Sequence, residues 1–300
     1  MQTNAARNGG RAATYTTAWL ILAVLLLFSI AAPLNQFKVP PIMPILMQAL
    51  NLSVSGAGML MSVFAITGLI LALPSGLILQ RTGFRTTGII AGGSMVLGAA
   101  LGALSQSNTL LLASRVIEGV GTGFMAVLAP ALIAQWFAAE KRGTAMGIWS
   151  AWVPMGTGVM LIVAPRLAQS AGWPAVWWLG AAYAAVATLV YLLVVRPAPA
   201  PAGAASAADS QAAQPITASP LRNRNIWLLA GAFAAFGAAG VGLNTYMPTF
   251  LATVRGVPLG QAALLAGIPT LVTIISAPGG GVVSDRVRSR KKPYLVGFAL

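Results

Sequence analysis

Charge interrupts this chain so rarely that its apolar runs define the elements. Intervals free of charged side chains extend over residues 39–80, 86–114, 119–139, 143–165, 167–195, 225–254 and 256–284. A helix needs about 20 apolar residues to cross the hydrocarbon core of a bilayer. Each interval therefore holds one membrane span or part of two. The pattern predicts eight spans, at 18–46, 54–79, 86–106, 108–138, 143–168, 173–195, 225–253 and 259–283. A ninth apolar segment starts at Pro293, but its eight residues, PYLVGFAL, are too short to cross. The expectation is a piece of a longer protein.

Composition agrees. Hydrophobic residues make up 57% of the chain and charged residues 7%, where a soluble domain carries about 25% charged residues. The predicted class is an all-α membrane protein. The N-terminal stretch MQTNAARNGGRAATYTTAWLILAVLLLFSIAAP has the outline of a signal peptide. It has no clear A-x-A site and further spans follow it, so it reads as a first membrane helix with a short cytoplasmic lead. The net charge of +14 would ordinarily suggest nucleic acid, but the bases are sparse and separated by apolar runs, so no such partner is expected. The chain has no Cys and no His. That excludes thiol chemistry, His-based acid–base catalysis and most zinc sites. No catalytic residue, metal or cofactor is expected, and the reading as a membrane-embedded enzyme is set aside.

Lys and Arg collect on the cytoplasmic side of membrane proteins. With the N-terminus inside, the cytoplasmic segments hold 14 of the 18 bases: Arg7, Arg11, Arg81, Arg85, Lys141, Arg142, Arg196, Arg222, Arg224, Arg286, Arg288, Arg290, Lys291 and Lys292. Lys38, Arg166 and Arg255 fall on the outer side, and Arg115 lies within a span. This orients a multi-pass protein of the cell membrane. Residues 196–224 are rich in Pro, Ala and Ser without an apolar stripe and read as a cytoplasmic linker. Residues 1–195 then form a six-helix bundle, and 225–300 an incomplete second one.

The two bundles echo each other. At a shift of 204 residues, 43–76 matches 247–280 at Met43/Met247, Pro44/Pro248, Gly56/Gly260, Leu60/Leu264, Ile70/Ile274, Pro74/Pro278 and Gly76/Gly280. Both copies run into a basic loop, GLILQRTGFR and GVVSDRVRSR. A parallel repeat of this kind is one plan of secondary transporters. These segments resemble the major facilitator superfamily, whose loop after the second helix reads G-x-x-x-D-R-x-G-R-R. Gly76, Arg81, Gly83 and Arg85 match it, while Gln80 replaces the Asp and Phe84 an Arg. Gly281, Asp285 and Arg286 match the second copy. Arg115 and Gly119 fit the family's R-x-x-Q-G, with Glu118 in the Gln position, and WFAAEKRGTAMGI resembles the loop before the fifth helix. Within the family, the first two helices are similar to cyanate-permease-like and organic-anion uptake members.

The resemblance implies alternating access, four further helices, a monomer, and gating by Gly76, Gln80, Arg81, Gly83, Arg85, Gly281, Asp285 and Arg286. It implies a small anion carried with protons. The alternative is a drug or metabolite exporter, whose G-P-x-x-G-G motif is poorly matched by WVPMGTG at 152–158. A non-transporting sensor of the same fold is a further alternative.

Six candidates bear on the substrate. Arg115 and Glu118 are three apart and share a helix face. They read either as anion ligand and proton carrier or as a structural ion pair. Lys38, in the outer half of the first span behind Asn35, would present an ammonium beside an amide to a cavity, and Pro40 and Pro41 would free carbonyls nearby. The competing reading puts Lys38 in an outer loop. Asn244, with Tyr246 nearby, occupies a related place in the second half. Gly119, Gly121 and Gly123 echo a nucleotide loop, but inside a span they read as close helix packing.

Overall fold

The computed structural model describes residues 2–196 and 224–287. They form nine α-helices and one 3₁₀ turn: α1 Gln2–Gln36, the turn Pro40–Ile42, α2 Met43–Ala49, α3 Val54–Ala103, α4 Asn108–Trp136, α5 Ala139–Trp149, α6 Trp152–Ala171, α7 Trp173–Val194, α8 Arg224–Thr253 and α9 Leu259–Val287. Seven stretches, 16–49, 54–72, 74–103, 108–136, 141–171, 173–194 and 259–276, are long and apolar enough to cross a membrane. The fold is all-α, as expected. The predicted linker and the segment from Pro293 lie outside the described residues.

Two predicted spans differ in a way that proline explains. The first does not run unbroken from 18 to 46: α1 starts at Gln2 and stops at Gln36. Pro40 and Pro41 have no N–H to give the carbonyls of Gln36 and Phe37, so the i→i−4 ladder ends there. The chain turns at 37–39 and resumes in α2. The predicted span 143–168 is two helices, α5 and α6, jointed at Ser150–Ala151. Pro154 lacks the donor that the Ser150 carbonyl would need. The spans 54–79 and 86–106 are found as the two arms of α3, which turns back at a single non-helical residue, Gly83 (φ 77°, ψ 173°). That backbone belongs to glycine.

The loops sort into two ends. At one lie Gly83, the 137–138 link and Arg196. Tyr191 Oη donates to the Phe84 carbonyl (2.9 Å), and Trp136 Nε1 to the Arg196 carbonyl (3.3 Å). Arg142 closes the C-terminus of α4, donating to the carbonyls of Phe137 (2.9 Å) and Ala134 (2.7 Å). The turns 50–53, 104–107 and 254–258 lie at the other end. Two apolar cores fill the first seven helices. One, around Leu25, Phe28, Phe124 and Tyr191, occupies the basic end; the other, around Leu34, Met43, Leu60 and Trp177, the opposite end. Gly119 and Gly123 let α4 meet the first arm of α3, where an added Cβ would lie 2.6 Å from the Phe64 carbonyl and 2.8 Å from that of Gly68. Gly121 faces the second arm, against the Ala91 carbonyl. The GVGTG segment packs helices.

α9 lies along α5 and α6, and here glycines again set the spacing. A Cβ at Gly158 would be 2.8 Å from Leu271 Cδ2, and one at Gly267 would be 2.7 Å from Leu161 Cδ1.

Candidate functional site

The break after Gln36 builds the site. Lys38 lies in the turn between α1 and the 3₁₀ helix and is completely buried, as are Asn35, Arg115 and Glu118. A cation at that depth is costly unless paired. Lys38 Nζ donates to Glu118 Oε1 (2.6 Å) and to Asn35 Oδ1 (2.9 Å). Its ammonium sits 4.6 Å from the centre of the Trp177 ring, a cation–π contact. Glu118 Oε2 accepts from Arg115 Nη1. One carboxylate thus bridges two cations, and the cluster carries a surplus positive charge.

Arg115 is fixed chiefly by backbone. Its Nη2 donates to the Gln36 carbonyl (3.1 Å), the acceptor that Pro40 leaves without a helical donor. Its Nη1 also reaches the Asn35 carbonyl (2.7 Å), and Nε the Leu60 carbonyl (3.0 Å). The guanidinium lies over Phe64, 4.5 Å from the ring centre. Asn35 is held in turn: its Nδ2 donates to the carbonyls of Ala31 (2.9 Å) and, more weakly, Gly180 (3.4 Å). The sequence candidates Asn35, Lys38, Arg115 and Glu118 therefore form one constellation inside the first seven helices, and Lys38 is not in an outer loop.

Three glycines that the sequence reading did not single out seat this constellation. A Cβ at Gly180 would collide with the Asn35 amide, one at Gly98 would lie 2.7 Å from Glu118 Cγ, and one at Gly102 would collide with the Trp177 indole. Trp177 itself was also missed. Its Nε1–H is buried with no acceptor among the described residues. A Gly at one of 33 positions and a Trp in an apolar run carry no local mark of such a role. It emerges only when α3, α4 and α7 meet.

The second-half candidates stand apart. Asn244 Nδ2 donates to the Gly240 carbonyl (2.9 Å), and its Oδ1 accepts from Thr270 Oγ1 (3.1 Å). It lines a groove of about 480 Å³ between α8 and α9, with Phe236, Met247, Leu265 and Pro269. The Tyr246 hydroxyl occupies the volume a Cβ would take at Gly58 of α3. Extending the 204-residue shift explains the asymmetry, because the position matching Lys38 is Gly242. Among the gating candidates, Gln80, Arg81 and Arg85 are exposed at the basic end around Gly83, with Gly76 one helical stretch earlier. Gly281, Asp285 and Arg286 lie on α9.

A family model described as Major Facilitator Superfamily matches residues 13–300. The "Probable sulfoacetate transporter SauU" of Cupriavidus necator is 24% identical over 91% of this chain and 66% of its own length. The "Cyanate transport protein CynX" of Escherichia coli is 26% identical over 93% of this chain and 70% of its own. A solved bacterial homolog of the human lysosomal transporter Spinster, inward-facing and unoccupied, shares the fold at a TM-score of 0.66 and 20% identity, covering 90% of this chain and 63% of that one. The chain spans about two thirds of the length of SauU.

Proposed function

The chain belongs to the Major Facilitator Superfamily, and on that premise we propose that it is a secondary transporter, not an enzyme, carrying a small anion together with protons by alternating access. One observation carries this reading: a fully buried cluster of two cations and one carboxylate at Lys38, Arg115 and Glu118. Surplus positive charge inside a membrane span is expensive and marks a path for an ion. The names of SauU and CynX refer to anions, which supports the same sign of substrate. Among the described residues, Glu118 is the one acidic residue inside a candidate span, which makes it the coupling group for the proton. Asn35, Lys38 and Arg115 bind the anion, and Asn244 and Tyr246 complete the path in the second half. The basic end, with Gly76, Gln80, Arg81, Gly83, Arg85, Gly281, Asp285 and Arg286, gates the cytoplasmic side, which leaves the N-terminus cytoplasmic. The protein works in the cell membrane as a monomer.

The test is uptake into proteoliposomes under an inward proton gradient. Anions enter and lipophilic cations do not. Lys38→Ala and Arg115→Ala each remove the surplus positive charge and one of the two cationic ligands; a hydrogen bond to a charged group contributes about 1.5–3 kcal/mol, so each lowers flux by roughly tenfold or more. Anion flux indifferent to both substitutions, or movement of lipophilic cations instead, overturns the reading.

A further inference from the structure

The donors of the cluster are nearly all committed. Four of the five guanidinium N–H groups of Arg115 are placed, on Leu60, Asn35, Glu118 and Gln36. Two of the three ammonium protons of Lys38 are placed, on Asn35 and Glu118. An arriving anion finds at most one unplaced donor on each cation, too few to hold a carboxylate while Glu118 keeps its bonds. The only anionic occupant between the two cations is the side chain of Glu118, with one oxygen on each.

Resting on the transport reading above, we infer that the Glu118 carboxylate is a built-in stand-in for the substrate's own, and that the substrate is a carboxylate that takes its place between Lys38 and Arg115 when Glu118 is protonated. The charge balance is closed. Before exchange the cluster holds Lys38⁺, Arg115⁺ and Glu118⁻, a net +1. After it the cluster holds Lys38⁺, Arg115⁺, neutral Glu118 and one substrate carboxylate, again +1. No bond is made or broken except the O–H on Glu118, whose proton arrives with the substrate. The exchange avoids placing any additional net charge in hydrocarbon, which is the costly alternative. Shape selects as well as charge. The cations are spaced for two oxygens on one planar carbon, since each now holds a different oxygen of Glu118. A halide offers one centre and phosphate a second charge.

No other group competes for the role. Against Glu118 stand Lys38 from the turn after α1, Arg115 one turn earlier on α4 and Gly98 from α3, while Trp177 and Gly180 of α7 face Lys38 and Asn35. Of these only the two cations are charged. Among the described residues, the other acidic ones, Glu140 and Asp285, lie outside the candidate spans.

The experiment uses the purified full chain and four probes: propionate, glucuronate, chloride and phosphate. Binding is followed by Trp fluorescence and proton uptake by an indicator dye in weak buffer. The expected result is one proton taken up per carboxylate bound, affinity that weakens as the pH is raised, and weak binding of chloride and phosphate. Glu118→Gln, permanently neutral, binds carboxylate with no pH dependence. Binding without proton uptake, a pH slope that persists in Glu118→Gln, loss of binding in a Glu118→Gln protein that unfolds at the wild-type temperature, failure of both carboxylates to bind, or equal binding of all four probes each overturns the inference. The wild-type proton count decides even where the variant does not fold. Vesicle flux of anions without proton uptake on binding sinks the exchange and leaves the transporter. Stoichiometric proton uptake without any flux does the reverse.

Discussion

Asn35 does more than its one amide suggests. Its side-chain oxygen holds Lys38, its main-chain oxygen holds Arg115, and its position is set by the absence of a side chain at Gly180. A hydrogen bond to a charged group contributes about 1.5–3 kcal/mol. Asn35→Ala is therefore expected to weaken anion binding by roughly 10- to 150-fold, read as KM in the vesicle assay. Gly180→Ala should push the amide off Lys38 and weaken binding in the same direction. The double variant should cost less than the sum of the two, because Asn35→Ala empties the volume the new methyl needs. Additive losses would mean the two residues act separately. The sequence made Asn35, Lys38, Arg115 and Glu118 visible because polar groups are conspicuous in an apolar run. It left Gly180, Gly98 and Trp177 hidden because their role is steric and depends on which helices become neighbours.

At the scale of elements, the apolar intervals located the helices and their order. They missed the joints after Gln36 and at Ser150–Ala151, since a span predicted by length and hydropathy has no reason to bend. The joints were nonetheless written in single residues: Pro40 and Pro41 end α1, Pro154 separates α5 from α6, and Gly83 reverses α3. Gly83 offers a clean check. A Cβ there would meet nothing within 4 Å, so its φ of 77° is the whole constraint. Gly83→Ala should cost about 1–2 kcal/mol of backbone strain, seen as a lower thermal unfolding temperature in detergent with substrate binding retained. An unchanged unfolding temperature would show that the reversal at 83 tolerates a side chain.

Across the molecule, the sequence repeat pointed to two related halves, and it could not say how they touch. The contact between the Tyr246 hydroxyl of α8 and Gly58 of α3 joins the first seven helices to the last two at the end opposite the basic loops. It lacks room for anything larger than glycine at 58. Gly58→Leu should prop that end apart, and adding Tyr246→Ala should let it close again. The chain has no native Cys, so cysteines introduced at Ser53 and Arg255 can carry spin labels without further engineering. A label-to-label distance that does not lengthen in Gly58→Leu would remove this contact from the account of closure.

Pro40 carries one last consequence. Because it leaves the Gln36 carbonyl without a helical partner, Arg115 is moored to main chain, which every amino acid at position 36 would supply equally. Saturation libraries at Gln36 should therefore leave the guanidinium where it is, while replacing Pro40 by any residue with an N–H offers that oxygen a rival donor. Anyone wishing to retune such a protein has a tolerant position and an intolerant one only four residues apart.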